Sequence, residues 1–328
     1  MKGPRILKAA AALVILGYCS LLVYQGGVAF TFQENNTRVQ VPGLSIETVT
    51  KTTIDDNGFY KNITLDDIFI SVKTSKWYQF TRLPVILQTW YQLAKQQTWF
   101  FTDTNNQDLK EKIADGHIIN TNCSSSHGRK SLCCKMSVEY DHYLESSKKW
   151  FCHFDDDNYV NIPTLVSVLQ KYNHQEDWYL GRNSVYKPIR IQNKKDKNEV
   201  YTFMFATGGA GFCISRSLAF KMLPVASGGR FISICESIRM PDDVTMGFVI
   251  GVMLRKDLTI VSEFHSHLEQ LKLLPIEKFR DQISFSYDLW NKNIGNVVDV
   301  PGIDFKTDPT RFLSLHCYLF PHTDFCPR

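Results

Sequence analysis

No two cysteines of this chain stand in the CxxC spacing of a zinc site or a dithiol redox motif, so those two uses of its nine cysteines are excluded. No residue from Ala9 to Gln33 has a formal charge, no acidic residue precedes Glu34, and no internal repeat or low-complexity tract is present. Net charge is scarce as well. It is +4 overall, and once Lys2, Arg5 and Lys8 are set aside the basic and acidic residues balance to within one. Such a body lacks the electrostatic footprint of a nucleic-acid binder, and the basic run Lys194-Lys195-Asp196-Lys197 reads as a solvated loop. What is present, 328 residues that are 44% hydrophobic and 21% charged, suffices for one large or two small domains.

The uncharged stretch Ala9 to Phe30 would make a helix about 33 Å long, enough to cross a bilayer. Its basic flank, residues 1–8, is expected to stay in the cytosol and the remainder to enter the lumen. A cleaved signal peptide is the competing reading, with small residues at Gly27-Val28-Ala29, but the apolar span outruns a usual signal core. Either way the body enters the secretory pathway. Residues 31–65 read as a stem, rich in Thr, Asn, Val and Gln without periodicity. The eight cysteines beyond Cys19 are then expected in disulfides, with Cys317 and Cys326 closing a C-terminal loop. Asn35 and Asn62 head glycosylation sequons, and a third sequon, at Asn122, has Cys123 as its middle residue.

Downstream, strands alternate with helices. Ile68 to Thr74 reads as a strand, Leu83 to Lys95 as a helix with Pro84 in its first turn, Thr98 to Asp103 as a strand and Ile118-Ile119 as a short third. Met136, Tyr140, Tyr143 and Leu144 give Leu132 to Ser147 a helical face. Further elements are a helix from Ile162 to Tyr172, a strand Trp178-Tyr179-Leu180 and a hairpin arm Tyr201 to Ala206. This alternation predicts an α/β fold with a mostly parallel sheet, whose ligands sit at the carboxyl ends of strands.

At one such end stands Trp150-Phe151-Cys152-His153-Phe154-Asp155-Asp156-Asp157-Asn158-Tyr159-Val160. Three consecutive carboxylates at a buried strand tip repel one another unless a cation joins them, and a divalent ion is the simplest partner. An acidic capping turn is the plainer alternative. If the segment stays extended, Asp155 and Asp157 share one side and Asp156 faces the other. Thr207-Gly208-Gly209-Ala210-Gly211 has neither the Lys-Ser/Thr of a P-loop nor a dinucleotide fingerprint, so its glycines read as a tight turn or a close approach of backbone to ligand. Pro241-Asp242-Asp243 has a helix-start signature in which capping accounts for one aspartate; the second, with Phe264-His265-Ser266-His267 further on, points to a site.

Leu132-Cys133-Cys134-Lys135-Met136-Ser137-Val138-Glu139-Tyr140-Asp141, the Trp150 to Val160 stretch, Phe205 to Ser215, Pro241-Asp242-Asp243 and Phe264 to Glu269 together resemble the Fringe family of glycosyltransferases over about residues 66–328. The resemblance implies a Golgi type II membrane enzyme of the GT-A fold. It implies transfer of N-acetylglucosamine from UDP-N-acetylglucosamine, in β-1,3 linkage, to O-linked fucose on EGF-like repeats of Notch-type receptors, with Mn2+ as cofactor. By motif position, it implies Asp157 and His267 as metal ligands, Asp156 and Arg82 as donor contacts, and Asp243 as the catalytic base. It pairs Cys123 with Cys134, Cys152 with Cys213 and Cys317 with Cys326, leaving Cys133 and Cys235 unassigned. The chain departs from the family pattern in having Val244 after Pro-Asp-Asp, where a cysteine is usual, and in having Cys235 at all. Related transferases using another UDP-sugar, a glycan-binding protein without turnover, and a metal-dependent phosphoesterase are the alternatives. The last lacks a further acidic cluster for a second metal.

Overall fold

Strands β1 (Ile68–Lys73), β2 (Thr98–Thr102), β3 (Ile118–Asn120), β4 (Trp150–Asp155), β5 (Tyr159–Val160), β6 (Tyr179–Gly181), β7 (Ile189–Gln192), β8 (Val200–Phe203), β9 (Phe212–Ser215), β10 (Thr259–Ile260), β11 (Ser284–Phe285), β12 (Asp288–Asn291) and β13 (Ile294–Asn296) build the chain's sheets in a computed structural model. The structure describes residues 63–193, 198–291 and 294–327, all within one compact unit. The tail, the anchor at 9–30, the stem up to residue 62, and Asn35 and Asn62 lie outside the described residues.

Seven strands form the central sheet in the order β10-β6-β9-β4-β1-β2-β3. β1 runs parallel to β2 and β4, β2 to β3 and β10 to β6, while β9 alone is reversed between β4 and β6. The expected mostly parallel α/β sheet is therefore present. From β1 the chain moves outward through β2 and β3, then returns to place β4 on the other side of β1. The order reverses between β1 and β4, and such a switch point opens a crevice at the strand ends.

Both faces of the sheet are covered at its centre, which is why β1 is buried along its whole length and β4 up to Asp155. On β1, Ile68, Ile70 and Val72 join one apolar layer with Trp90, Trp150, Cys152 and Phe154. Phe69 and, from β4, Phe151 join the opposite layer with Met136, Tyr140 and Tyr143 of the helix Arg129–Glu145. That helix begins a turn earlier than its apolar spacing suggested.

The single helix expected from Leu83 to Lys95 is broken. It runs from Leu83 to Gln88 and gives way to short 3-10 turns, Trp90–Leu93 and Lys95–Gln97. Trp90 and Tyr91 are both buried in the first of these turns, and the winding changes at Thr89, just ahead of them. The Trp90 indole N–H then reaches the Asn158 carbonyl oxygen at 3.1 Å, tying this segment to the turn after β4.

Among the described residues four disulfides staple the fold: Cys123–Cys134, Cys152–Cys213, Cys317–Cys326 and Cys133–Cys235. The last joins the two cysteines that family resemblance had left without roles. It ties the helix Arg129–Glu145 to the helix Arg230–Ile238, directly ahead of Pro241-Asp242-Asp243.

Gly211 shows what the glycine-rich turn is built for. Its φ is +85°, and an added Cβ would overlap the Phe154 ring and stand 2.9 Å from the His153 carbonyl oxygen. Gly228, at φ +61°, faces open space. In urea unfolding, Gly228→Ala is expected to cost about 1 kcal/mol from its backbone alone, and Gly211→Ala at least about 2 kcal/mol more through overpacking.

Candidate active site

The parallel register sets Ser71 beside His153 and Lys73 beside Asp155. Strand alternation puts all four on the face covered by the helix Arg129–Glu145, so that layer changes from aromatic to charged as it nears the strand tips. Glu139, fully buried in the helix, accepts from Ser71 Oγ at 2.7 Å and pairs with His153 Nδ1 at 2.6 Å. His153 Nε2 lies 3.5 Å from Asp155, and Lys73 Nζ lies 3.1 Å from Asp155 and 2.6 Å from Asp242. Charges thus alternate from the core to the site: Glu139, His153, Asp155, Lys73, Asp242. Burial works against the His153 cation, but Glu139 and Asp155 outweigh it and raise its pKa to about 9. Burial likewise opposes the Asp155 anion, yet Lys73 and His153 hold its pKa well below the usual carboxylate range.

The three aspartates do not alternate as an extended strand would place them. β4 ends at Asp155, and the Asp155 carbonyl oxygen accepts from the Asn158 amide at 3.1 Å, turning the chain. Asp156 and Asp157 consequently face the same partner. Arg82 Nη1 lies 2.7 Å from Asp156 Oδ1 and 3.2 Å from Asp157 Oδ2, its guanidinium stacked 3.8 Å from the Tyr78 ring centre. Asp156 also accepts from Thr74 Oγ1 at 2.8 Å. Asp157 is left short of positive charge. Its Oδ1 is buried without a hydrogen-bond partner, and burial, only partly offset by Arg82 and reinforced by Asp155 and Asp156, raises its pKa to about 8.

His267 Nδ1 lies 3.9 Å from Asp157 Oδ2 and 3.2 Å from Ser286 Oγ. Two ligands of one octahedral ion lie between about 3 and 4 Å apart, so the pair suits a shared cation, which would also satisfy the orphaned Asp157 oxygen. Among the described residues no three of His, Cys, Asp and Glu gather into a metal-binding group, so the protein would supply two ligands. The neighbouring His265 has a different place. It is buried against Glu269 and Gln282, at 3.1 and 2.8 Å, and braces the loop that presents His267.

Asp242 and Asp243 are likewise separated by their surroundings. Asp242 is buried on Lys73, whereas Asp243 accepts from the amides of Val244 at 2.7 Å and Gly208 at 3.3 Å. Burial, then the adjacent Asp242 charge, raises the Asp243 pKa to about 6. Gly208 and Gly209 lie between the two ends of the site. A Cβ on Gly208 would meet Asp243 at 3.6 Å and one on Gly209 would meet the His267 ring at 3.5 Å, without the overlap found at Gly211. Arg82, Asp156, Asp157, Asp243 and His267 all line one cavity of about 870 Å³, with Tyr287 and Thr74.

Sequence reasoning missed Lys73, Glu139 and His153. A lysine closing the otherwise apolar run Ile68 to Val72 was the available sign of the first. Glu139, between Met136 and Tyr140 on the inward face of its helix, was the sign of the second.

These features place the chain among the α/β proteins that bind ligands in the crevice at the carboxyl ends of a mostly parallel sheet. The Fringe-like family model matches residues 63–323, and the chain belongs to the Fringe family of glycosyltransferases. It is 59% identical over 266 residues to the Fringe glycosyltransferase of Drosophila melanogaster, covering 80% of this chain and 64% of that protein. It is 48% identical over 270 residues to the beta-1,3-N-acetylglucosaminyltransferase lunatic fringe of Danio rerio, covering 81% and 72%. The chain therefore spans just under two thirds of the Drosophila relative. Among solved structures, the apo form of the glycosyltransferase GlyE of Streptococcus pneumoniae TIGR4 aligns with a TM-score of 0.44 and 8% identity, over 80% of this chain and 65% of that one, too loosely to support an argument.

His153 gives the buried network a pH signature. Its folded pKa, about 9, exceeds the ordinary 6.5, so its contribution to stability is full below pH 6.5 and is lost as pH rises through 9. Urea stability of the natural chain is expected to decline across that window, and His153→Gln, less stable at pH 6, is expected to give a flatter profile.

Proposed function

We propose that this chain is an inverting GT-A glycosyltransferase that moves N-acetylglucosamine from UDP-N-acetylglucosamine, in β-1,3 linkage, onto O-linked fucose of EGF-like repeats in Notch-type receptors. The enzyme class follows from the family, while donor, acceptor and site roles are the reading offered here. The observation that carries it is the opposition, within one cavity, of a cation-poor pair, Asp157 with His267, to a carboxylate whose pKa lies near neutrality, Asp243.

Asp157 and His267 would hold a manganese ion, since one carboxylate with one imidazole suits that metal better than magnesium or calcium. When bound, the ion neutralises charge on the departing diphosphate. Arg82, braced on Tyr78, is the protein's own cation for the same oxygens, and Asp156 is positioned by Thr74 to receive a hydroxyl of the donor. Asp243 takes the proton from the acceptor hydroxyl as that oxygen attacks the anomeric carbon, a single displacement that inverts configuration. The bond to the diphosphate breaks as the new glycosidic bond forms. A base whose pKa is about 6 is ionised at neutral pH yet still draws the proton effectively. Retention in the Golgi by an anchor at residues 9–30, with the catalytic part in the lumen, completes the proposal.

Asp243→Asn is expected to lower transfer by about 100- to 10,000-fold while UDP-sugar affinity stays within a few fold. In the natural chain, turnover should fall below about pH 6 as Asp243 takes up a proton. Equal loss of transfer and donor binding would count against the assignment. Replacing His267 with Ala should raise the manganese concentration required for UDP binding, read by calorimetry; an unchanged titration would remove His267 from the ion.

A further inference from the structure

All six tryptophans of the chain are among the described residues. Trp90 and Trp150 are buried and Trp99 and Trp178 half-buried, but Trp77 and Trp290 are 66% and 67% exposed. The two exposed indoles flank the same opening. Trp77 lines the catalytic cavity from the loop after β1, and the Trp290 indole N–H donates at 2.9 Å to Asp288 Oδ2, whose residue lines it from β12. Phe80, 70% exposed, shares an outer groove with Trp77, and Leu268, 66% exposed, follows the cavity-lining His267 in the chain. Outward of Trp77 lies a second groove of about 720 Å³, walled by Trp77, Phe80, Lys76, Asn105, Asn106 and Asp108, so the cavity and the groove share Trp77. Exposed apolar side chains scattered singly need no explanation, but a set gathered at the mouth of a catalytic cavity does. Tryptophan is also the residue most enriched where binding energy concentrates in protein interfaces.

We propose that this apolar lip docks the polypeptide part of a glycoprotein acceptor, the surface around the modified side chain, while the attached sugar reaches down to Asp243. The inference rests on the glycosyltransferase reading above. The occupant follows from the depth of the site. Asp243 and its partner Gly208 line the cavity, and the nucleotide end is committed to Arg82, Asp156 and Asp157, so whatever is joined to the acceptor sugar must lie outside, across the rim. A free sugar would leave the lip uncovered. A folded module covers it, setting apolar side chains on Trp290 and Phe80 and offering backbone groups to the Asn105 amide in the groove.

The test uses the full chain with Mn2+ and UDP-N-acetylglucosamine and compares two acceptors, a fucosylated EGF-like repeat and a simple aryl α-fucoside. Phe80→Ala, Trp290→Ala and the double variant are expected to raise KM for the repeat by about 10-fold or more, with kcat/KM for the aryl fucoside within about 2-fold of the natural chain. An unchanged KM for the repeat, or equal losses on both acceptors, would overturn the proposal. A change in sedimentation without a change in repeat KM would assign the lip to a second copy of the chain and overturn it too. A natural chain inert on both acceptors would defeat the transferase reading itself, and this inference with it.

Discussion

One buried ammonium organises the site. Lys73 ends β1 beneath the strand tips and lies within 3.1 Å of both Asp155, its parallel neighbour on β4, and Asp242, the first residue of the helix Asp242–Phe248. Neither carboxylate belongs to the same segment as the other, so a single charge joins the acid-tipped strand to the helix bearing Asp243. A buried ion pair is weak evidence of net stability, but removing one partner is costly, about 3–5 kcal/mol, because a charge is left in the interior. That asymmetry acts as a geometric constraint: strand tip and helix start must arrive together.

The same network differentiates carboxylates that look alike in the chain. Asp155 is held ionised by Lys73 and His153, Asp157 is pushed toward neutrality by burial and by its acidic neighbours, and Asp243 lies between them. Each outcome reflects how much positive charge reaches the group. Arg82 is divided between Asp156 and Asp157, and neither receives it alone. A site so arranged is deficient in positive charge at Asp157 and sufficient at Asp155.

Much of this was legible in the sequence, for definite reasons. Alternating apolar runs announced the sheet because both of its faces are covered, and the three aspartates announced the site because like charges rarely end a buried strand by accident. The break at Thr89 was not legible, since nothing in the local pattern says that Trp90 and Tyr91 must both turn inward. Nor was the splitting of Asp157 from Asp155, which follows from a turn closed by Asn158 and from an arginine more than seventy residues away. The buried Glu139 and His153 escaped for the same reason: polar residues on an apolar face have meaning only once their partners are known.

The two departures from the family pattern meet at one place. Cys235 is bonded to Cys133, and the hydroxyl of Thr245, next to Val244, lies 3.2 Å from its sulfur. The linkage spans 102 residues, and closing a loop of that size withdraws about 4.7 kcal/mol of freedom from the unfolded chain. The segment leading to Asp243 is thereby leashed to the helix that holds Glu139 even when the sheet beneath them has come apart. The linkage would thus leave the chain a head start each time it refolds.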